Sequence, residues 1–296
     1  MAFDNLPKQT PINLRADAYI EAALRLSKLA AATTRCELDV PYGDLPAHRL
    51  DIYLPRDASL SGLPVFINLH GGGWTHGYKE MLGLNAPVIV GFPAIYISVE
   101  YRLAPGAKHP AQVEDCARAL AWTFRNIRRY GGDPNRIHLG GHSAGAHMAA
   151  LIVLQPKYRD AHGLPADVVK SCFPYCGIYD LRDMHIYGQS AASNPAGELL
   201  ASPADAADAS PMAFTAGNAT PFFVVWAEND GGLIKAEGPA FIMALQRAKG
   251  RVDGLQIPGF DHFWTHLDQE RIENPWTRTL KSWILGDPST APVASL

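Results

Sequence analysis

A serine bracketed by glycines and a separate run of three glycines are the features of this sequence whose residue types and spacing could do chemistry. Gly141-His-Ser-Ala-Gly145 fits the pattern G-x-S-x-G. Where such a pentapeptide joins a strand to a helix, the serine takes strained backbone angles with its hydroxyl thrust outward. Small residues two positions to either side keep the turn free of clashes. Ser143 is therefore the candidate nucleophile. His70-Gly-Gly-Gly-Trp74 supplies a complementary part. Attack on a carbonyl carbon puts negative charge on oxygen, and backbone N–H groups fixed in advance, with no side chains in the way, stabilise it. Gly72 and Gly73 would give two such donors. The amide of Ala144, at the start of a helix whose dipole favours an anion, would give a third. The chemistry these parts fit is acyl transfer. His70 reads as a structural histidine bonding its own loop.

Four segments, in order, carry a resemblance: His70–Trp74, Glu100-Tyr-Arg-Leu-Ala-Pro105, Gly131-Gly-Asp-Pro134 and Gly141–Gly145. Together they resemble the α/β-hydrolase superfamily, and within it the hormone-sensitive-lipase-like esterases and the arylformamidase (kynurenine formamidase) group. The similarity covers roughly residues 36 to 285. It implies an eight-stranded hydrolase sheet, a Ser, Asp, His chain order, an architectural role for residues 100–105 and a catalytic one for the nucleophile and glycine loops.

A serine hydroxyl cannot ionise unaided at neutral pH, so a base and a group orienting that base are required. Of eleven histidines, His262 in Gly259-Phe-Asp-His-Phe263 stands where the family places its base. The family's acid falls in the loop holding Glu228, Asn229 and Asp230. Asp230 is favoured, Glu228 stays an alternative, and Asp261, next to His262 in sequence, is weaker. Asp115 and Asp133 read as residues that cap or bridge helices and turns. His262/His266 and Cys172/Cys176 have spacings a metal could use, but no Glu follows the first histidine and no second pair completes a tetrahedral site. Neither a metal nor a cofactor is expected.

These residues need a scaffold. Cys36–Val40 and Leu50–Leu54 suit a hairpin across the Pro41 turn. The runs at 65–69, 94–99, 136–139, 171–175 and 222–226 are continuously apolar, as in parallel strands covered on both faces. Val252–Ile257 reads as a last strand and Trp276–Leu285 as a closing helix. Between strands, Val113, Cys116, Leu120, Phe124, Ile127 and Tyr130 recur at helical intervals, with Pro110 in the first turn and Gly131-Gly132 as the stop. The predicted architecture is an α/β fold, doubly wound and mostly parallel, in one domain over residues 1–296. A helix at 18–31 and a turn-rich insertion at 178–220 are expected as cap elements.

Composition narrows the function. The 296 residues carry 26 Lys and Arg against 29 Asp and Glu, a net charge of −3, and 47% are hydrophobic. Disorder is excluded, and a nucleic-acid-binding surface is poorly supported, since it usually needs a clear excess or a stripe of positive charge. No apolar run reaches the roughly 20 residues of a membrane span, and the N-terminus lacks the apolar stretch of a signal peptide. Four scattered cysteines fit a reducing compartment, so a cytoplasmic protein is expected. The reading is a serine hydrolase of small to medium carboxylic esters acting through an acyl-enzyme. An arylformamidase acting on N-formylkynurenine-like amides is the rival, and a non-catalytic small-molecule receptor the remote alternative. Trp74, Met184, Tyr187, Met212 and Phe214 are the expected substrate-pocket residues. Homo-oligomerisation is left open.

Overall fold

The computed structural model describes residues 2–182 and 195–286. Its strands are β1 (Arg35–Pro41), β2 (Arg49–Leu54), β3 (Leu63–Leu69), β4 (Ile95–Val99), β5 (Gly132–His142), β6 (Val169–Tyr175), β7 (Phe222–Ala227) and β8 (Val252–Ile257). They join in one eight-stranded sheet of order β1-β2-β4-β3-β5-β6-β7-β8. β1 and β2 are the predicted antiparallel hairpin, β2 also runs antiparallel to β4, and every other pairing is parallel.

Continuous hydrophobicity matches burial on both faces. β3, β4 and β7 are buried along their whole length. Val65, Ile67 and Leu69 join one core with residues of α2 (Ala111–Asn126) and α3 (Ala144–Leu154). Phe66, Tyr96 and Phe173 join a second on the other face, with Trp276 and Leu280 of the closing helix Pro275–Leu285.

The helices depart from expectation at their ends. α1 (Leu14–Thr33) starts four residues before the predicted Ala18, because Asn13 caps it with hydrogen bonds from Arg15 N and Ala16 N. Pro110 stands at the N-cap of α2 rather than within its first turn. After α2 a 3₁₀ turn, Ile127–Tyr130, closes on Gly131 at φ 84°, while Gly132 already opens β5.

Strand order brings two distant motifs together. β3 is flanked by β4 on one side and β5 on the other, so the chain reverses its direction of winding there. In such sheets the crevice at the strands' carboxyl ends is where ligands bind. Leu69 is in register with Gly141. The glycine loop after β3 and the serine turn after β5 are therefore neighbours at that crevice.

The excursion between β6 and β7 is laced to itself: Met212 N donates to Tyr179 O at 2.9 Å and Leu181 N to Ser210 Oγ at 2.8 Å. No described helix is long and apolar enough to cross a membrane.

Candidate active site

Ser143 occupies the sharp corner between β5 and α3, at φ 54° and ψ −116°. A positive φ in a residue with a Cβ costs of order 1–3 kcal/mol and persists only where the surroundings enforce it. Two features do. The Ser143 N–H donates to Tyr175 O at 3.0 Å, tying the turn to the end of β6. Gly145 lies so close to β3 that a Cβ there would fall 2.0 Å from Leu69 O. Among the described residues the Ser143 hydroxyl makes no hydrogen bond, and catalytic contacts without substrate are commonly longer than in the reacting complex.

The glycine loop folds back beneath this turn. Gly72 has φ 125°, and a Cβ on it would sit 2.0 Å from His76 O, so only glycine fits. Its carbonyl accepts from His76 N at 2.9 Å. The N–H groups of Gly72, Gly73 and Ala144 take no protein acceptor among the described residues. His70 is buried and stacked 4.1 Å from Tyr101, whose hydroxyl donates to His70 O at 2.7 Å. It supports the loop.

The imidazole of His262 and the carboxylate of Asp230 meet at 2.8 Å, Nδ1 to Oδ1. Asp230 is wholly enclosed while His262 keeps 22% of its side chain exposed, so the pair has a dry end and an open end. Burial by itself would raise the Asp230 carboxyl. The hydrogen bond and charge of His262 oppose this, with the Cys176 thiol and Ala227 N–H, and hold the carboxyl below the usual range. Glu228 turns away and accepts from Gly259 N at 2.7 Å. Asp261 pairs with Arg15 at 2.7 Å. Asp115 binds Arg102 and His48, and Asp133 accepts from Asn135 N.

Three residues to which the sequence reading gave no part in acyl transfer adjoin these. His142 Nε2 donates to His262 O at 2.9 Å, with the two rings 4.7 Å apart, so the base candidate stands beside the serine turn. Cys176, at φ 52°, places its thiol against Asp230. His147 lies one helical turn beyond Ser143 and bonds Trp74. The signal for His142 was in plain view, since it fills the variable position before Ser143. His142, Cys176 and His262 offer potential ligand atoms within 4.8 Å of one another. His262 Nδ1 and His142 Nε2 are engaged as described, and burial pushes the Cys176 thiol well above its usual range, so it stays protonated.

The expected pocket residues do not form one set. Trp74 is 1% exposed and belongs to the core, while Met212 and Phe214 are half-buried against that core. Met184 and Tyr187 lie outside the described residues.

Residues 50–242 match the family model BD-FAE. Among curated proteins, the esterase LipQ of Mycobacterium tuberculosis is 34% identical over 244 residues, 76% of this chain and 56% of that protein. The kynurenine formamidase of Danio rerio is 32% identical over 165 residues, 56% of this chain and 54% of that protein. The chain spans 51% to 60% of the first three curated relatives, all from Mycobacterium tuberculosis. Among solved structures, an esterase of Pyrobaculum calidifontis superposes with a TM-score of 0.75 at 24% identity, covering 94% of each chain.

Proposed function

Because the chain belongs to the BD-FAE family and has the α/β-hydrolase fold, we propose that it is a serine hydrolase of small to medium carboxylic esters. One observation carries this reading. A strained serine at the end of β5 stands beside a glycine loop with unclaimed N–H groups, next to a His262–Asp230 pair at 2.8 Å. The kinship with an esterase such as LipQ agrees with it.

In the proposed reaction Ser143 Oγ attacks the ester carbonyl carbon and passes its proton to His262 Nε2. Asp230 fixes the Nδ1–H tautomer and stabilises the imidazolium. The N–H groups of Gly72, Gly73 and Ala144 hold the oxyanion. As the tetrahedral adduct collapses, the alcohol leaves with the proton from His262. Water, activated by the same imidazole, then cleaves the acyl-enzyme and restores Ser143. No cofactor takes part. Helix α1 and the described residues of the excursion after β6 would act as cap elements over the crevice.

The formamidase reading demands a cation for the amino-acid end of N-formylkynurenine, since buried unpaired charge is costly. The candidate at the start of the excursion, Arg182, is already held by both carboxylate oxygens of Asp180, at 2.8 and 2.5 Å. Esters are therefore the expected substrates. A panel of aryl esters of increasing acyl length beside N-formylkynurenine tests this. The best ester should exceed the formamide in kcat/KM by at least about tenfold, roughly 1.4 kcal/mol in transition-state stabilisation. Equal turnover, with Arg182→Ala abolishing only the formamide reaction, would establish the rival. A fluorophosphonate should label Ser143 covalently, and Ser143→Ala should lose about 10⁴-fold in turnover while remaining folded.

A further inference from the structure

In the pattern G-x-S-x-G the position before the serine is free to vary. Here it is His142, whose ring, 2% exposed, lies where three loops meet. It touches the glycine loop: a Cβ on Gly71 would fall 2.9 Å from His142 Nδ1 and 3.0 Å from Ser143 Cβ, so the ring and the nucleophile together fill that space. It lies 5.3 Å from the Tyr175 ring, stacked, at the end of β6. Through Nε2 it reaches His262 O, on the loop that carries the proposed base.

Counting hydrogens fixes how the ring is held. A carbonyl only accepts, so the proton of His142 is on Nε2. Tyr19 OH lies 2.8 Å from His266 Nδ1 and 3.4 Å from His142 Nδ1. His266 Nε2 faces Asn85 Oδ1 at 3.1 Å, while Asn85 Nδ2 donates to Gln269. His266 therefore donates through Nε2 and accepts at Nδ1, which takes the single hydrogen of Tyr19. Both imidazoles are neutral, in keeping with burial that lowers both pKa values. His142 has one strong bond, and it is the one to His262 O.

We propose that His142 is a positioning residue: its Nε2–H holds the His262 carbonyl and so keeps the base-bearing loop in register with the serine turn. This rests on the serine-hydrolase reading. His142 itself touches no reacting atom in this scheme. A side chain that only filled the core would serve equally well as a methionine; a donor would not.

The test compares His142→Met, which fills the space without a donor, with His142→Gln, whose amide N–H falls near the place of Nε2. On an aryl acetate, His142→Met should lower kcat by about 10- to 100-fold, the range expected when a catalytic group is misplaced by about an ångström. KM should stay within about twofold, and His142→Gln should recover kcat to within about fivefold of wild type. Amide hydrogen exchange across residues 259–267 should accelerate in His142→Met and not in His142→Gln. Equal kcat losses with unchanged exchange would assign His142 to packing, as would a folded His142→Met that kept more than half of wild-type kcat. If the wild type neither cleaves esters nor reacts with a fluorophosphonate, the serine-hydrolase reading fails. The exchange comparison still decides whether His142 holds the loop.

Discussion

The indole N–H of Trp74 donates to Nδ1 of His147 at 3.1 Å, bonding the glycine loop to the helix that begins at the proposed nucleophile. His147 Nε2–H in turn donates to Ala209 O at 2.6 Å, on the excursion after β6. Both ring nitrogens are thereby used, and burial pushes the imidazole down to about 3, so it stays neutral.

Trp74→Phe keeps the aromatic bulk and removes the donor, leaving His147 Nδ1 buried without a partner. Such a loss costs about 1–3 kcal/mol. Urea unfolding should report that cost, and kcat/KM should fall roughly 3- to 30-fold as the loop loses its anchor. Unchanged kcat/KM in a destabilised variant would confine Trp74 to the core.

Asp230→Asn should lower kcat by about 10⁴-fold, since an amide can donate to His262 Nδ1 and stabilise the wrong tautomer. Glu228→Gln retains an acceptor for Gly259 N–H, so its kcat should stay within about threefold of wild type. The reverse ranking would make Glu228 the acid.

Gly145→Ala would place a methyl 2.0 Å from Leu69 O, backbone against backbone, where nothing can yield without parting α3 from β3. A loss of about 3 kcal/mol or more in urea unfolding is expected. The control is Gly91→Ala, where a Cβ meets nothing within 4 Å. Its stability should change by less than about 1 kcal/mol.

His138 lies away from the crevice, buried and 2.7 Å from Ser171 Oγ. Burial first, then the charges of Arg136 and Lys170, push its imidazole down to about 3. The unfolded value is about 6.5. Between the two, the unfolded chain binds a proton that the folded chain refuses. The stability contributed is therefore complete above about pH 6.5 and declines as pH falls toward 3, by about 1.4 kcal/mol per pH unit at most. His138→Asn should lose less stability than wild type between pH 6.5 and 4.5 in urea titrations. Parallel curves would show that His138 does not titrate in this way.

The parts of the site most legible in the sequence are those where the backbone makes the demand. Three adjacent glycines and a G-x-S-x-G turn can be read because few residues tolerate such conformations or approaches. The boundaries of β3, β4 and β7 were recovered within a few residues because burial on both faces leaves unbroken apolar runs. Glu228 and Asp230 could not be separated in this way. They share one short loop, and only the direction of that loop relative to Gly259 and His262 tells them apart. The early start of α1 had a local signal, Asn13. Its partners had none, since Arg15 and Tyr19 act on residues 246 and 247 positions away. Trp74, named for the pocket, is buried in the core; an aromatic beside a glycine loop has the same sequence signature whether it faces a ligand or a neighbouring helix.

The contacts of α1 with the loop around His262 set a clock on biosynthesis. Chains are made at about 5–20 residues per second. Arg15 leaves the ribosome's catalytic centre 246 positions ahead of Asp261, so it waits roughly 10–50 s for its partner. Tyr19 waits as long for His266. Throughout that interval the phenol on α1 lacks the His266 imidazole that takes its hydrogen, and Phe263 is not there to stack on it. The serine turn and glycine loop, both drawn from residues 63–154, are made much earlier. On the proposed reading, hydrolytic competence waits until α1 can close over a loop synthesised long after it.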